Sequence, residues 1–302
     1  IFKSLNSTGV PLGQADLIRN FVYMHLPPEL HDEFEVDLWG PLEIGFVNEE
    51  GVLDGDEFSK FFRDVLMADA EVGYVPPSAT FERFESKYEA TEFVPQQLGA
   101  ELIKRAADYS IISGRVLDDD ARVVAALARL NQLESSTTYP LVLALFERRS
   151  LGAIDSGHLA RAIDMISGFI LRRFICGESS RGYGRIFVRA VGLLGEEPVT
   201  SLERYLVGRG WPDDRRFTAA FVEFPLYQRG YARAVLVALE QQRGHKEPAD
   251  LTATQIEHIL PQTLTDAWPA ELGDGADILH ADWLHRPGNL TLSAYNQALW
   301  NH

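Results

Sequence analysis

The sequence predicts a mainly α-helical chain: a multi-helix array ending in a small strand–loop–strand–helix motif. Three observations predict it. Apolar residues recur at helical spacing from Gln14 to Arg243, in stretches punctuated by Pro, Gly and Asp. Convincing β-prone patterns are confined to residues 254–260 and 289–292. The chain has 302 residues, 46% of them hydrophobic, enough for two ordinary domains and a sizeable core.

The elements follow in order. Gln14 to His25 is apolar-periodic and stops at Pro27-Pro28. Residues 29–53 are acidic and loop-like, with room for short helices. Asp56 to Met67 carries Phe58, Phe61, Phe62, Val65 and Leu66 at helical spacing, a core stripe. Tyr74 to Ala79 is a proline-bearing linker, and Thr80 to Ala90 a helix with Glu82, Glu85 and Glu89 on its exposed face. From Pro95 the helical signal is steady. Helices are predicted over Gln96–Ser113, Asp120–Leu133, Thr138–Arg149, Ser156–Ile175, Gly182–Leu194, Ser201–Gly208, Asp213–Phe224 and Gly230–Arg243. Asp118-Asp119-Asp120 precedes a helix start, where the helix dipole favours carboxylates, so it reads as a cap rather than a metal site. Ser156 is a second cap. Arg243 to Asp250, with Gly244 and Pro248, is a linker into the terminal motif.

Composition excludes several classes. No apolar run reaches the roughly 18 residues that a membrane helix needs, and no signal peptide is visible. A single cysteine, Cys176, excludes an internal disulfide and a four-cysteine zinc site, which fits a reducing cytoplasm. It follows an apolar run and reads as a small buried residue. No glycine-rich phosphate loop of the Walker type is present.

The net charge of −16 argues against a DNA partner until its distribution is considered. Residues 1–170 hold 14 Lys and Arg against 28 Asp and Glu, whereas residues 171–302 hold 14 against 16. Arg172, Arg173, Arg181, Arg185 and Arg189 face only Glu178 within their stretch. Nucleic-acid binding needs a local basic surface, not a basic whole, so these five are candidate DNA contacts. The competing reading is that they are solvated helix faces or pair with the acidic half.

The chemistry concentrates at the C-terminal end. Ile256, Ile259 and Leu260 suit a short buried strand that Pro261 terminates, leaving Glu257 and His258 side by side at its end. Gly288-Asn289 is a turn signal before the β-prone Leu290-Thr291-Leu292. Ser293 can then cap a helix carrying Asn296 and Asn301. Glu257 and the Asn296 carbonyl offer oxygens to a hard cation such as Mg²⁺. His258, whose type titrates near neutrality, is then free to act as general base. A metal on a phosphoryl oxygen beside such a base makes a phosphodiesterase site. Asn289 either orients His258 or braces the loop. Should His258 prove a ligand or core residue, His280 and His285 are the next candidates for base.

Ile256-Glu257-His258-Ile259-Leu260-Pro261-Gln262, Gly288-Asn289-Leu290-Thr291-Leu292, Asn296 and Asn301 together resemble the ββα-metal (HNH) nuclease motif. More closely, they resemble the C-terminal nuclease half of the GmrSD and SspE type of modification-dependent restriction and antiphage defence proteins. Phe2-Lys3-Ser4-Leu5-Asn6-Ser7-Thr8-Gly9, with Pro11-Leu12 and Ala15-Asp16-Leu17-Ile18-Arg19-Asn20, resembles the tail of the nucleotidase-like domain that precedes it there. Many HNH sites carry Asp where Glu257 stands and a final His where Asn296 stands.

The resemblance implies an endonuclease that uses Mg²⁺ or Mn²⁺ on phage or modified DNA, nicking one strand per site, in the cytoplasm. It also implies an upstream nucleotidase-like domain in the same parent protein, of which this chain, opening at Ile1, would be the C-terminal piece. The expected layout is a domain tail and connecting helix over 1–28, a helical body over 29–245, and the nuclease motif over 246–302. The rival expectation is a helical regulatory or coupling module with a degenerate nuclease end, relaying the state of the upstream domain.

Overall fold

The fold is described from a computed structural model, which covers residues 12–89, 93–244, 250–265 and 267–293. The Phe2–Gly9 stretch and the helix expected to carry Asn296 and Asn301 lie outside the described residues. The chain is mainly helical, with one small two-stranded sheet near its C-terminal end. No helix among the described residues is long and apolar enough to cross a membrane.

Two compact units emerge. The first comprises the described part of 1–131 with 135–165 and 181–209; the second comprises 132–134, 166–180 and the described part of 210–302. The unit that holds the terminal motif therefore takes in helical segments well before residue 246.

In the first unit the aromatic stripe read from the sequence forms the core. Helix α1 is Gln14–Met24, α2 is His31–Phe34, α3 is Gly40–Ile44 and α4 is Gly55–Met67. Asp54 caps α4 by accepting from the Glu57 amide at 2.9 Å. Phe58, Phe61 and Phe62 of α4 are buried against Phe46, Trp39 and Tyr109. Next come α5 Thr80–Glu89, α6 Pro95–Ile112, α7 Ala121–Asn131 and α8 Tyr139–Ser150. Residues 140–146 of α8 are buried without interruption, as a helix packed on several sides requires, and α4 and α6 both pack against it.

Pro28–Ile44, where short helices were expected in a loop-like stretch, runs through consecutive 3₁₀, α and π turns. Phe34, Trp39, Leu42 and Phe46 are buried along it, and the acidic residues between them hide that spacing. Those acids have partners: Arg19 pairs with Glu35 and Glu43 at 2.8 and 3.2 Å, and the Trp39 indole donates to Glu43 at 2.6 Å. Gly40, immediately after the π turn, has no room for a side chain, since a Cβ there would sit 2.9 Å from the Glu35 carbonyl oxygen. The aspartate run is structural. Asp120 accepts from the Arg122 amide at 2.9 Å, and Asp118 holds Arg149 in a two-pronged pair at 3.0 and 2.8 Å.

Helix α9, Ser156–Ile175, contributes residues to both units. Helices α10 Tyr183–Val191 and α11 Pro198–Gly208 belong to the first. The second unit continues with α12 Asp214–Glu223, α13 Leu226–Arg229, α14 Ala232–Gln242, β1 Gln255–His258, α15 Ala267–Leu272, α16 Ala276–Trp283 and β2 Leu290–Ser293. Leu226, Val235, Leu236 and Leu290 are buried together, with Ile256 and Leu292 packed against them, so the sheet is seated on α13 and α14. The Arg233 guanidinium of α14 donates to the carbonyls of Leu251, Thr252 and Thr254, fixing the backbone just before β1.

Candidate active site

Strands β1 and β2 pair antiparallel, with Gln255, Ile256, Glu257 and His258 opposite Ser293, Leu292, Thr291 and Leu290. Side chains alternate across a strand. Ile256 and Leu292 face the helical core, so His258 opposite Leu290 shares that face, and Glu257 opposite Thr291 takes the other. Chemistry involving both side chains is therefore directed off the end of β1, where Pro261 stops the strand.

Asn289 holds that strand end. It is 5% exposed, at the close of the short 3₁₀ turn Pro287–Asn289. Its Oδ1 accepts from the Leu260 amide at 2.6 Å, and its Nδ2 donates to the Leu260 and Leu284 carbonyls at 3.1 and 2.9 Å. Its backbone carbonyl accepts from the Ile259 amide at 2.9 Å. Of the two roles expected for it, these bonds make it the brace of the strand end; none of them goes to the His258 ring. The spacer between the strands contributes as well, since His280 Nε2 donates to the Pro261 carbonyl at 2.8 Å.

His258 sits in an aromatic nest. Its ring centroid is 4.5 Å from that of Tyr227, at 72° between planes, and 5.7 Å from that of His285, at 79°. Tyr227 and His285 are nearly parallel, 9° apart with centroids at 5.6 Å, and the Tyr227 amide donates to the His285 carbonyl at 3.2 Å. Nδ1 of His258 lies 3.2 Å from Gln262 Nε2, whereas its Nε2 is buried without a hydrogen-bond partner, as is Nδ1 of His285. Burial pushes the His258 pKa below the ordinary imidazole value; His285 pushes the same way and Glu257 opposes. The imidazole is thereby favoured in the neutral state that a proton acceptor needs.

The structure thus gathers Glu257, His258 and Asn289 around one strand end. Asn296, the second oxygen ligand expected from the sequence, lies outside the described residues. Among the described residues no group of three His, Cys, Asp or Glu side chains has metal-holding geometry. The arginine cluster divides between the units: Arg172 and Arg173 fall in the second, Arg181, Arg185 and Arg189 in the first. Arg172 pairs with Asp214 at 2.6 Å, donates to the Pro212 carbonyl at 3.0 Å and stacks over Phe217. Arg173 donates to the Gly210 and Ser179 carbonyls and lies 3.8 Å from Glu178. For these two the internal-pairing reading describes the contacts. Arg185 lies over the Tyr74 ring, and Arg185 and Arg189 are exposed.

Tyr227 had no signal in the sequence beyond its place in a Pro225–Gly230 break between helices. Gln262 was visible only as the end of the apolar motif, and His285 only as a reserve histidine in the spacer. Arg229, exposed two residues beyond Tyr227, has no ion pair among the described residues.

Residues 211–302 match the family of GmrSD restriction endonucleases, C-terminal domain. The matched stretch, just under a third of the chain, contains both strands and the Glu257, His258, Tyr227, His285 and Asn289 side chains. No curated protein matches the chain.

Proposed function

We propose, taking the restriction-endonuclease C-terminal domain over 211–302 as the premise, that this chain carries a metal-dependent DNA endonuclease of the ββα-metal type. The observation that carries the reading is the placement of His258: a half-buried imidazole at a braced strand end, with burial favouring its neutral form and Nδ1 towards the exposed side. The reaction is phosphodiester hydrolysis. His258 takes the proton of a water molecule as the water oxygen bonds to phosphorus and the bond from phosphorus to the leaving sugar oxygen breaks. Asn289 acts through the backbone, holding the Leu260 amide and carbonyl so that the end of β1 keeps its aim.

The chain's donor set fits a hard divalent cation, Mg²⁺ or Mn²⁺. Glu257 supplies a carboxylate on the strand face away from the core, and Mg²⁺ commonly binds one or two carboxylates while keeping several waters. Asn296 is the proposed second oxygen donor. When bound, such a cation neutralises developing charge on the scissile phosphate. One such site cuts one strand, so a monomer nicks. The exposed Arg181, Arg185 and Arg189 of the first unit are proposed contacts of the DNA backbone, and the exposed Arg229, two residues from Tyr227, is proposed as a further one on the second. The setting we propose is modification-dependent restriction or antiphage defence in the cytoplasm, with an upstream nucleotidase-like domain governing activity.

The rival reading, a helical relay with a degenerate nuclease end, draws on the single described carboxylate at the strand end. Plasmid relaxation separates the two. Supercoiled plasmid should become open circle with Mg²⁺ or Mn²⁺, stay intact in EDTA, and stay intact with His258→Ala. A chain that leaves plasmid intact under every metal condition favours the relay.

A further inference from the structure

The environment of His258 contains one pairing that the proposed reaction has not used. An imidazole carries a single proton when neutral, and which nitrogen holds it decides which can act as base. The two nitrogens of His258 have different surroundings. Nδ1 faces the exposed side and meets the Gln262 amide nitrogen at 3.2 Å. An amide N–H directed at a ring nitrogen donates to a lone pair, so this contact selects Nδ1 without a proton. Nε2 is buried and meets no oxygen or nitrogen partner. The Tyr227 ring stands against the imidazole, with centroids 4.5 Å apart and planes at 72°. A buried N–H with no conventional acceptor can be accommodated by the electron-rich face of an aromatic ring, whereas a buried lone pair would be repelled by it. His285 is nearly parallel to Tyr227, and its ring centroid lies 5.7 Å from that of His258.

We propose that Tyr227 is a positioning residue for the reaction: its ring covers the Nε2–H edge of His258 and holds the imidazole in the tautomer that leaves Nδ1 as the base. Gln262 guards that nitrogen in the resting protein and gives way to the attacking water. His285 supports the Tyr227 ring from the side. The inference rests on the nuclease reading only for its kinetic consequence; the tautomer itself is a property of the folded chain.

The test uses the full chain with ¹⁵N-labelled histidine, without added metal and at fixed neutral pH. The His258 signals are assigned by their loss in His258→Ala. The two-bond nitrogen–proton pattern reports the tautomer directly. Wild type and Tyr227→Phe should show the proton on Nε2, since phenylalanine keeps the ring face. Tyr227→Leu should show a mixture of tautomers, with an unchanged melting temperature because Tyr227 is exposed at the surface. In plasmid nicking, Tyr227→Phe should match wild type. Tyr227→Leu should lose at least ~10-fold in kcat with KM unchanged, as expected when a base is held in the wrong tautomer. A wild-type His258 with its proton on Nδ1, or a tautomer ratio indifferent to Tyr227→Leu, overturns the proposal. A chain that shows the expected tautomers but does not nick DNA overturns the nuclease reading and upholds the positioning of His258.

Discussion

Replacing Asn289 gives the sharpest test of how the strand end is held. Three side-chain hydrogen bonds depend on it, at 2.6, 3.1 and 2.9 Å, to both backbone groups of Leu260 and to the Leu284 carbonyl. A typical intramolecular hydrogen bond contributes a net ~0.5–1.5 kcal/mol, and a buried partner left unsatisfied costs ~1–3 kcal/mol. Asn289→Ala removes all three, so the second unit should lose about 3 kcal/mol of stability. Asn289→Asp, nearly the same shape, discriminates further. It keeps an acceptor for the Leu260 amide but loses both donors, and sets a buried carboxylate oxygen against two carbonyls. At neutral pH it should be at least as unstable as the alanine variant. Its folded-state pKa must be raised, so the deficit should shrink as pH falls and a protonated carboxyl donates one bond back. Urea unfolding followed by tryptophan emission, to which Trp211, Trp268 and Trp283 of the same unit contribute, measures the stability. Hydrogen exchange at the Leu260 amide measures the brace locally and should accelerate in Asn289→Asp at neutral pH. An Asn289→Asp protein within ~0.5 kcal/mol of wild type at neutral pH, with Leu260 equally protected, would refute the bracing role.

Further outcomes are expected elsewhere. His258→Ala should cut nicking by ~10²–10⁴-fold. In wild type, activity should rise with pH through a pKa below the ordinary imidazole value, a limb absent from the His258→Ala residual rate. Asp64 of the first unit is 1% exposed, and burial raises its pKa to about 6. Since its folded pKa exceeds the unfolded one, its contribution is fully present below the unfolded value near 3.8 and is lost as pH rises through about 6. Wild type should therefore lose about 2 kcal/mol relative to Asp64→Asn between pH 4 and 7, a slope that pH-resolved denaturation would measure. Arg173→Ala should lower stability by ~1–2 kcal/mol through its orphaned carbonyls, and Arg172→Ala by less because its partner Asp214 is exposed. Neither should alter the salt dependence of DNA binding, and a flattened slope would return them to the DNA surface.

The helices were legible because burial writes itself at helical spacing, as in Phe58, Phe61, Phe62 and Leu66 of α4. The two strands were legible because Pro261 and Gly288 mark their neighbouring turns and no other stretch competes. Glu257, His258 and Asn289 stood out because they lie in compact motifs. The region Pro28–Ile44 was not read as continuous helical turns, since its acids find partners such as Arg19 only in three dimensions. The pairing of Arg172 with Asp214, and of Arg173 with the Gly210 carbonyl, joins residues about forty apart in the chain. The approach of Tyr227 to His258 likewise exists only once α13 is docked on the sheet, and no local pattern encodes it.

The Arg233 guanidinium has a consequence for how the C-terminal end is held. By holding the carbonyls of Leu251, Thr252 and Thr254 from a helix that ends at Gln242, it ties β1 to α14 directly, bypassing the backbone between them. The approach to β1 is thereby held by a side chain of α14 as well as by the chain that leads into it. Loss of Arg233 would remove that tie and leave the seat of Ile256 and Leu292 on Leu226, Val235 and Leu236 to carry the attachment.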